Sequence, residues 1–451
     1  MGTRFRDYQP DQRLLLPPDL RDWLPAGHLA YFISDTIDAL DLGAFYAPYE
    51  GDGRRNRPYD PRMMLKVLVY GYSVGVFSSR KLARSLEEDV AFRVLGAGNF
   101  PQHRTICEFR KRHLEDFQDV FVQVVRLAGE LGMVKLGMVA VDGSKVKANA
   151  SKHKAMSYER MQKEEKRIRR LIQRLTRKAE REDERDDGLY GPERRGDELP
   201  EEIAFQKGRL EKIRQAKRRL EERQKEEDRR RGRSEDDGNY ASGVRPQGGR
   251  SKFRRKFGEP PPKSQENFTD PDSRIMKTSS QNYEQCYNAQ VLVDAEEQLI
   301  TAADVGQNAA DSGYLVPLLD ASKNHTKKDP RSLIADAGYK WEKNFQALEQ
   351  RSIVGYVALG REGKGSSSKK KIHPELMATR RMQSRLKTEE GKERYKKRKA
   401  IVEPVFGWIK SVLGFRSFSV RGHSKVRGEW NLVCLAVNLR RLNGKMQWVP
   451  V

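Results

Sequence analysis

The chain has 451 residues, 37% of them hydrophobic and 34% charged, with a formal net charge of +24. That length exceeds one ordinary core and implies two or three domains. No window of about twenty apolar residues occurs, which excludes a hydrophobic helical membrane span, and Cys107, Cys286 and Cys434 are too few and too far apart for a disulfide framework or a cysteine zinc site.

The cationic excess points to a polyanionic partner, of which nucleic acid is the commonest. Lysines and arginines that merely solubilise exposed helices explain part of it, but acidic residues would serve as well without the imbalance. Met1 to Gln12 is charged and lacks an apolar core, so it does not read as a signal peptide. The seven histidines are scattered, with no His-x-x-x-His pair. A soluble, intracellular protein is expected.

Residues 1–135 read as a mostly helical domain. Positions 29–42 carry apolar residues at helical spacing, and 51–58 form a basic, breaker-rich loop. Tyr59-Asp60-Pro61 opens the next helix, with Asp60 as its cap and Pro61 at its first position. That helix continues over 63–74. Phe77-Ser78-Ser79-Arg80-Lys81 then interrupts the apolar pattern, and 82–86 begins another helix. This is helix-turn-helix spacing, with Ser78 or Ser79 as the second cap. A third helix is expected over 104–114. Its Arg104, Arg110, Lys111 and Arg112, with Ser78, Arg80 and Lys81 of the turn, are candidate phosphate contacts. Such turns also occur in helical domains that touch no DNA. An amphipathic helix follows over 117–131.

Gly137-Met138-Val139-Ala140-Val141-Asp142-Gly143-Ser144 reads as a buried strand that ends in a carboxylate, after which Gly143 and Ser144 turn the chain. A residue so placed stands at the rim of a sheet, where α/β proteins bind ligands. Asp-Gly also marks many ordinary turns.

Residues 152–265 differ in composition. Over 157–185 the chain is almost wholly polar, apart from a narrow stripe of Met161, Ile168, Leu171, Ile172 and Leu175. A break is expected at 188–196. A second charged helix follows over 200–229, with Ile203, Leu210, Ile213 and Leu220 on one face. The two read as an antiparallel hairpin whose seam only holds the pair together. Residues 230–265 have the composition of a linker, with cations suited either to a phosphate backbone or simply to solvent.

Strand signals then return. Tyr287 to Asp294 and Leu299 to Val305 form an expected hairpin across 295–298, and 311–319 an expected helix. Ser332-Leu333-Ile334-Ala335-Asp336-Ala337-Gly338-Tyr339 repeats the earlier pattern of apolar strand, aspartate and glycine turn. Another strand is expected over 353–359 and a basic loop over 361–371. A cationic run from Arg394 to Lys399 leads into a helix with Val402, Val405, Phe406 and Ile409 on its apolar face. Glu403 and Lys410 lie about two turns apart on roughly one side of it. A last apolar helix covers 433–442.

Two strand-end aspartates and a helix glutamate, Asp142, Asp336 and Glu403, suggest a divalent-metal site. Mg²⁺ and Mn²⁺ take a few carboxylates plus water and phosphate oxygens. Two such ions, about 3.5–4 Å apart, would activate a water or a 3′-hydroxyl and stabilise the leaving oxygen. Asp294, Asp304 and Asp311 are rival carboxylates. Asp311 is the best of them, against the simpler role of helix N-cap. Trp430 and Asn438 read as packing and capping residues, with a base contact the alternative for Trp408 or Trp430.

Taken in order, Tyr59-Asp60-Pro61, Ser78-Ser79-Arg80, Val141-Asp142-Gly143-Ser144, Tyr287-Asn288-Ala289-Gln290, Ala335-Asp336-Ala337-Gly338-Tyr339 and Ile401-Val402-Glu403-Pro404-Val405-Phe406-Gly407 resemble bacterial insertion-sequence transposases of the DDE type. The likeness is strongest to members with a Tyr-Arg-Glu-Lys signature around the glutamate, and it covers nearly all of the chain. It implies an α/β fold, a ribonuclease-H-like mixed sheet flanked by helices, with an N-terminal all-helical domain and a helical-hairpin insertion. The implied domains are 1–135 for DNA binding, 136–151 with 266–445 for DDE catalysis, and 152–265 for the basic hairpin and flexible linker.

The resemblance also implies Asp142, Asp336 and Glu403 as ligands of Mg²⁺ or Mn²⁺, as two ions. Lys410 stands seven residues after Glu403, as the signature asks. The signature's arginine falls on Lys399 by strict spacing, with Arg398 one residue before it, and Tyr395 is likewise one residue early. These cations would hold phosphates or stabilise developing charge. Double-stranded DNA, as element ends and target, is the implied partner, bound by a homo-oligomer on paired ends in the bacterial cytoplasm at the nucleoid, with no membrane. The implied activity is cutting at the element's ends and joining the freed 3′-hydroxyl to target DNA. Two alternatives are a nuclease of the same fold without strand transfer and an inactive DNA-binding remnant.

Overall fold

The computed structural model describes residues 19–49, 57–190, 201–233, 235, 255–278, 280–360 and 373–446. The segment 1–12 and, largely, the expected loops at 51–58 and 361–371, the break at 188–196 and the linker at 230–265 lie outside the described residues.

Before the first strand come α1 (Leu29–Asp38), α2 (Gly43–Tyr46), α3 (Pro61–Ser73), α4 (Ser79–Glu88), α5 (Val90–Gly96), α6 (His103–Arg112) and α7 (Asp116–Glu130). Asp60 caps α3 as expected, its Oδ1 accepting from the N–H groups of Arg62 at 2.7 Å and Met63 at 3.4 Å. Ser78 stands at the N-cap of α4, but its side chain makes no capping bond. The sequence reading passes over α5. Asp89 starts that helix by accepting from Ala91 and Phe92, so the expected third helix is in fact separated from α4 by a further one.

The strands are β1 (Met138–Lys147), β2 (Ala155–Ser157), β3 (Gln265–Asn267), β4 (Arg274–Lys277), β5 (Tyr283–Asp294), β6 (Ile300–Gly306), β7 (Ser332–Ala335) and β8 (Val354–Val357). The main sheet runs β4–β5–β1–β7–β8, with β6 also paired to β5. Strand β1 is antiparallel to β5 and parallel to β7, and β7 is parallel to β8. This mixed sheet is compatible with a ribonuclease-H-like domain. The apolar run in β1 serves both faces: Met138 and Ala140 belong to one core, Val139 and Val141 to the other.

Between β2 and β3 stand two long helices, α8 (Tyr158–Tyr190) and α9 (Glu201–Arg230). Their pairing is antiparallel: Glu164 meets Arg209 at 2.8 Å, Glu165 meets Lys217 at 3.3 Å, and Tyr158 donates to Glu221 at 2.7 Å. Met161, Ile168, Leu210, Ile213 and Leu220 form a small core of their own. Gly188 lies inside α8, so helix covers the first residues of the expected break.

One face of the sheet is covered by α10 (Leu315–Thr326), α11 (Glu342–Gln350) and α12 (Met377–Lys387), through Leu318, Phe345 and Met382. The other is covered by α13 (Glu389–Gly407), a π-helical turn (Trp408–Val412) and α14 (His423–Met446). The core on this side includes Ala30, Tyr72 and Phe121 together with Val402, Trp430 and Leu435, so it runs unbroken from α1 to α14. Tyr72 donates to Glu429 at 2.8 Å. At Gly428 the helix lies so close to the chain after α6 that a Cβ would be 2.0 Å from the Leu114 carbonyl oxygen. Trp430 is buried and its Nε1 donates to the Gln290 carbonyl at 3.1 Å. Asn438 does not cap a helix; it brackets Ile300 of β6, accepting from its N–H at 2.9 Å and donating to its carbonyl at 2.8 Å. No helix among the described residues is long and apolar enough to cross a membrane.

Candidate active site

Asp142 lies in the middle of β1, not at its end, and Gly143 and Ser144 do not turn the chain. The ladder to β5 continues through Asp142↔Val291 and Gly143↔Gln290 to Lys147↔Cys286. The reason is the length of β5, which offers partners well past the aspartate. It is the other neighbour that stops: pairing with β7 ends at Val141↔Ala335. The next residue on each strand is an aspartate, Asp142 on β1 and Asp336 after β7. The two carboxylates therefore leave adjacent strands at the same level, where the parallel half of the sheet has its rim.

Asp142 Oδ1 accepts from the Gly143 N–H at 2.8 Å. Burial pushes its carboxyl from the ordinary 3.8 up to about 6; the Gly143 bond and Arg398 pull it down, while the charges of Asp336 and Asp311 push it up. Asp336 Oδ1 accepts from the Gly338 N–H at 2.7 Å and opens a short 3₁₀ turn.

Cations approach from α13. Arg398 Nη1 lies 3.7 Å from Asp142 Oδ2. Burial opposes the guanidinium's charge, yet Tyr395, Asp142 and Asp336 hold its pKa above the usual value. Lys399 is exposed. Of the two cations the sequence offered for one role, Arg398 is thus the one turned toward the aspartates, with Tyr395 hydrogen-bonded to it. Lys410, in the π-helical turn, donates its Nζ to Ser144 Oγ, two residues beyond Asp142. Its pKa is lowered by burial, against the opposing pull of Cys286 and Asp142.

Glu403 is exposed on α13, and among the described residues no hydrogen bond or ion pair joins it to Asp142 or Asp336. A third carboxylate, Asp311, is bonded to β1 and lies beside the Asp336 turn. Its expected role as a helix cap is corrected: α10 begins only at Leu315, with Tyr314 at its N-cap. Asp311 Oδ1 instead accepts from Asn288 Nδ2 at 2.6 Å, Gln290 Nε2 at 2.8 Å and Lys145 Nζ at 3.0 Å. Gln290 Oε1 in turn accepts from the Tyr339 hydroxyl. The sequence reading named none of these donors as functional. The available signal is two amides, Asn288 and Gln290, at alternate positions beside the apolar run Val291-Leu292-Val293.

The candidate DNA contacts divide. Ser78, Arg80, Lys81, Arg104 and Lys111 are exposed. Arg110 is not: it is 5% exposed and donates to the Phe77 carbonyl at 2.7 Å, to the Tyr72 hydroxyl at 3.2 Å and to Ser79 Oγ at 3.3 Å. It braces the turn from inside, because its position on α6 points toward α3 and α4 rather than to solvent.

Among the described residues no group of three or more His, Cys, Asp or Glu side chains is arranged to hold a metal. The pair Asp142 and Asp336 nonetheless fits a hard cation. Two carboxylates are what such an ion commonly takes from a protein when phosphate and water complete its shell, and Asp142 and Asp336 follow directly on the last paired residues of adjacent parallel strands.

Residues 260–439 match the family model of the transposase DDE domain. Residues 18–112 match that of a further transposase domain (DUF772). Asp142 falls between the two matched spans, while Asp336, Arg398 and Glu403 fall within the first. No curated protein and no solved structure matches the chain.

Proposed function

Since the chain belongs to the insertion-sequence transposases of the DDE type, we propose that it cuts DNA at the ends of its element and joins the freed 3′-hydroxyl to target DNA. The observation that carries this reading is the level placement of Asp142 and Asp336 on adjacent strands, with Arg398 against one of them. Asp142 and Asp336 would hold Mg²⁺ or Mn²⁺, and Glu403, five residues after Arg398, would complete the set when substrate is present. When bound, such ions lower the pKa of an attacking water or hydroxyl and offset charge on the phosphate.

The chain's own residues supply the rest. Arg398 donates toward the phosphate at the reacting end, and Tyr395 fixes the guanidinium. Lys410, held on Ser144, places a second positive charge beside the same strand and stabilises charge that develops on the phosphate. Tyr395, Arg398, Glu403 and Lys410 would then fill the Tyr-Arg-Glu-Lys signature. Ser78, Arg80, Lys81, Arg104 and Lys111 contact the backbone of the element's ends, and the basic hairpin α8–α9 grips DNA without reading sequence. Two ends must meet in one complex, so the chain acts as a homo-oligomer.

The test is a strand-transfer assay with Mg²⁺, a plasmid and a precut duplex carrying the sequence that flanks the reading frame. Joining is expected, and Asp142→Asn, Asp336→Asn and Glu403→Gln should each abolish it while DNA binding persists. Cleavage without joining would favour a plain nuclease. Binding with neither activity would leave a DNA-binding remnant.

A further inference from the structure

Asp311 sits in the loop between β6 and α10, remote in sequence from both Asp142 and Asp336, yet its carboxylate meets the elements that carry them. One oxygen, Oδ1, receives three donors: Lys145 from β1, and Asn288 and Gln290 from β5. Lys145 and Asn288 are direct partners in the ladder, as are Gly143 and Gln290. The three donors therefore lie on one face of the two strands, opposite to the face from which Asp142 and Ser144 project.

The other oxygen, Oδ2, faces the Asp336 turn. A Cβ built on Gly338 would stand 2.9 Å from Asp311 Oδ2 and 2.9 Å from Asp336 Oδ1. The turn is also tied from below, since Tyr339 donates its hydroxyl to the Gln290 whose amide reaches Asp311. Gly143 leaves room for this arrangement: a Cβ there would lie 2.0 Å from Gln290 Nε2. Beside it, the fully buried Asn288 has an Oδ1 without a hydrogen-bond partner, so the amide is oriented by what its Nδ2 donates to, Asp311 at 2.6 Å and the Asn308 carbonyl at 3.1 Å. Lys145 and Asp311 are about one-fifth exposed, at 18% and 21% of their side chains. This is an ordered network, not a surface ion pair.

We propose that Asp311 is the positioning residue of the site, its carboxylate fastening the β1–β5 strand pair to the Asp336 turn and so fixing the separation of Asp142 and Asp336. The proposal rests on the reading of those two aspartates as cation ligands. Asp311 acts through them: with Oδ1 saturated by three donors, it buttresses the turn with Oδ2 and holds the strand pair with Oδ1. Residues behind metal ligands commonly change metal affinity by one to two orders of magnitude when removed.

The experiment measures Mn²⁺ binding to the full chain without DNA, by electron paramagnetic resonance, with the thermal midpoint of each variant recorded. Asp142→Asn is the control for the site itself and should abolish binding. Asp311→Asn keeps the shape, removes the charge, and should weaken Mn²⁺ binding by about tenfold or more at a near-native midpoint, while affinity for a duplex of arbitrary sequence stays within about twofold. Gly338→Ala perturbs the same contact from the other side, pressing the two carboxylates apart and leaving all three donors intact. It should weaken Mn²⁺ similarly, and it decides the matter should Asp311→Asn not fold. Binding lost in Asp142→Asn but within about twofold of wild type in both other variants overturns the role of Asp311. Unchanged binding in Asp142→Asn overturns the cation reading itself, and this inference with it.

Discussion

The guanidinium of Arg398 stands 3.7 Å from the carboxylate of Asp142, while the neighbouring Lys399 faces solvent. A single step along the helix, about 100° around its axis, thus separates a cation that can act at the site from one that cannot. Arg398→Ala should reduce Mg²⁺-dependent cleavage by about 10²-fold, the usual cost of losing a donor to developing charge. Lys399→Ala should cost much less. Steady-state cleavage of a labelled duplex compares them; equal losses would mean that strict sequence spacing, not the observed packing, names the working cation.

The raised carboxyl of Asp142 makes a prediction about pH. Its folded value is about 6 against an ordinary 3.8, so the native state binds a proton more tightly than the unfolded chain. The protein therefore loses stability from this group as pH rises from about 4 to about 6, and the deficit persists above that. In chelator, Asp142→Asn should be more stable than wild type by about 1–3 kcal/mol at pH 7.5, and the gain should vanish near pH 4. Urea unfolding at the two pH values reads this directly. A variant no more stable at pH 7.5 than wild type would show the carboxylate to be well compensated.

Arg110 and Arg104 share a helix but not a role. Arg110→Ala leaves the hydroxyl of Tyr72 and the buried Glu429 without their cation and should cost about 3 kcal/mol or more in unfolding free energy. Arg104→Ala should leave stability unchanged and lower the salt dependence of DNA binding by about one unit of slope. A salt slope that is identical in Arg104→Ala and wild type would remove α6 from the DNA interface.

How far the sequence disclosed these features depended on whether a feature was local. The strand before Asp336 is legible because three apolar residues, an aspartate and a glycine turn follow one another within eight positions. The same pattern misled at Asp142, since only the length of β5, set more than a hundred residues away, decides that β1 continues. Helical spacing placed Arg110 on a face but could not say which face was covered. Asp311 reads as a cap because it precedes a helix; its true partners are three side chains that come together only when β1 and β5 pair. Helix α5, from Val90 to Gly96, is too short for apolar periodicity to reveal.

The crossing at Gly428 offers a test of the shared core. A methyl group there would press on the Leu114 carbonyl oxygen, backbone that cannot swing aside. Gly428→Ala should destabilise the protein by about 1–3 kcal/mol and lower DNA binding and cleavage together, in proportion to the unfolded fraction. Loss of cleavage with intact DNA binding would mean that the first seven helices fold without α14.

Tyr72 and Glu429 are bonded partners 357 positions apart. During synthesis, α3 must wait for almost the whole polypeptide to emerge before the surface it packs on exists. A polypeptide released early would hold the first helices with their apolar sides uncovered, and so be prone to aggregate or be degraded.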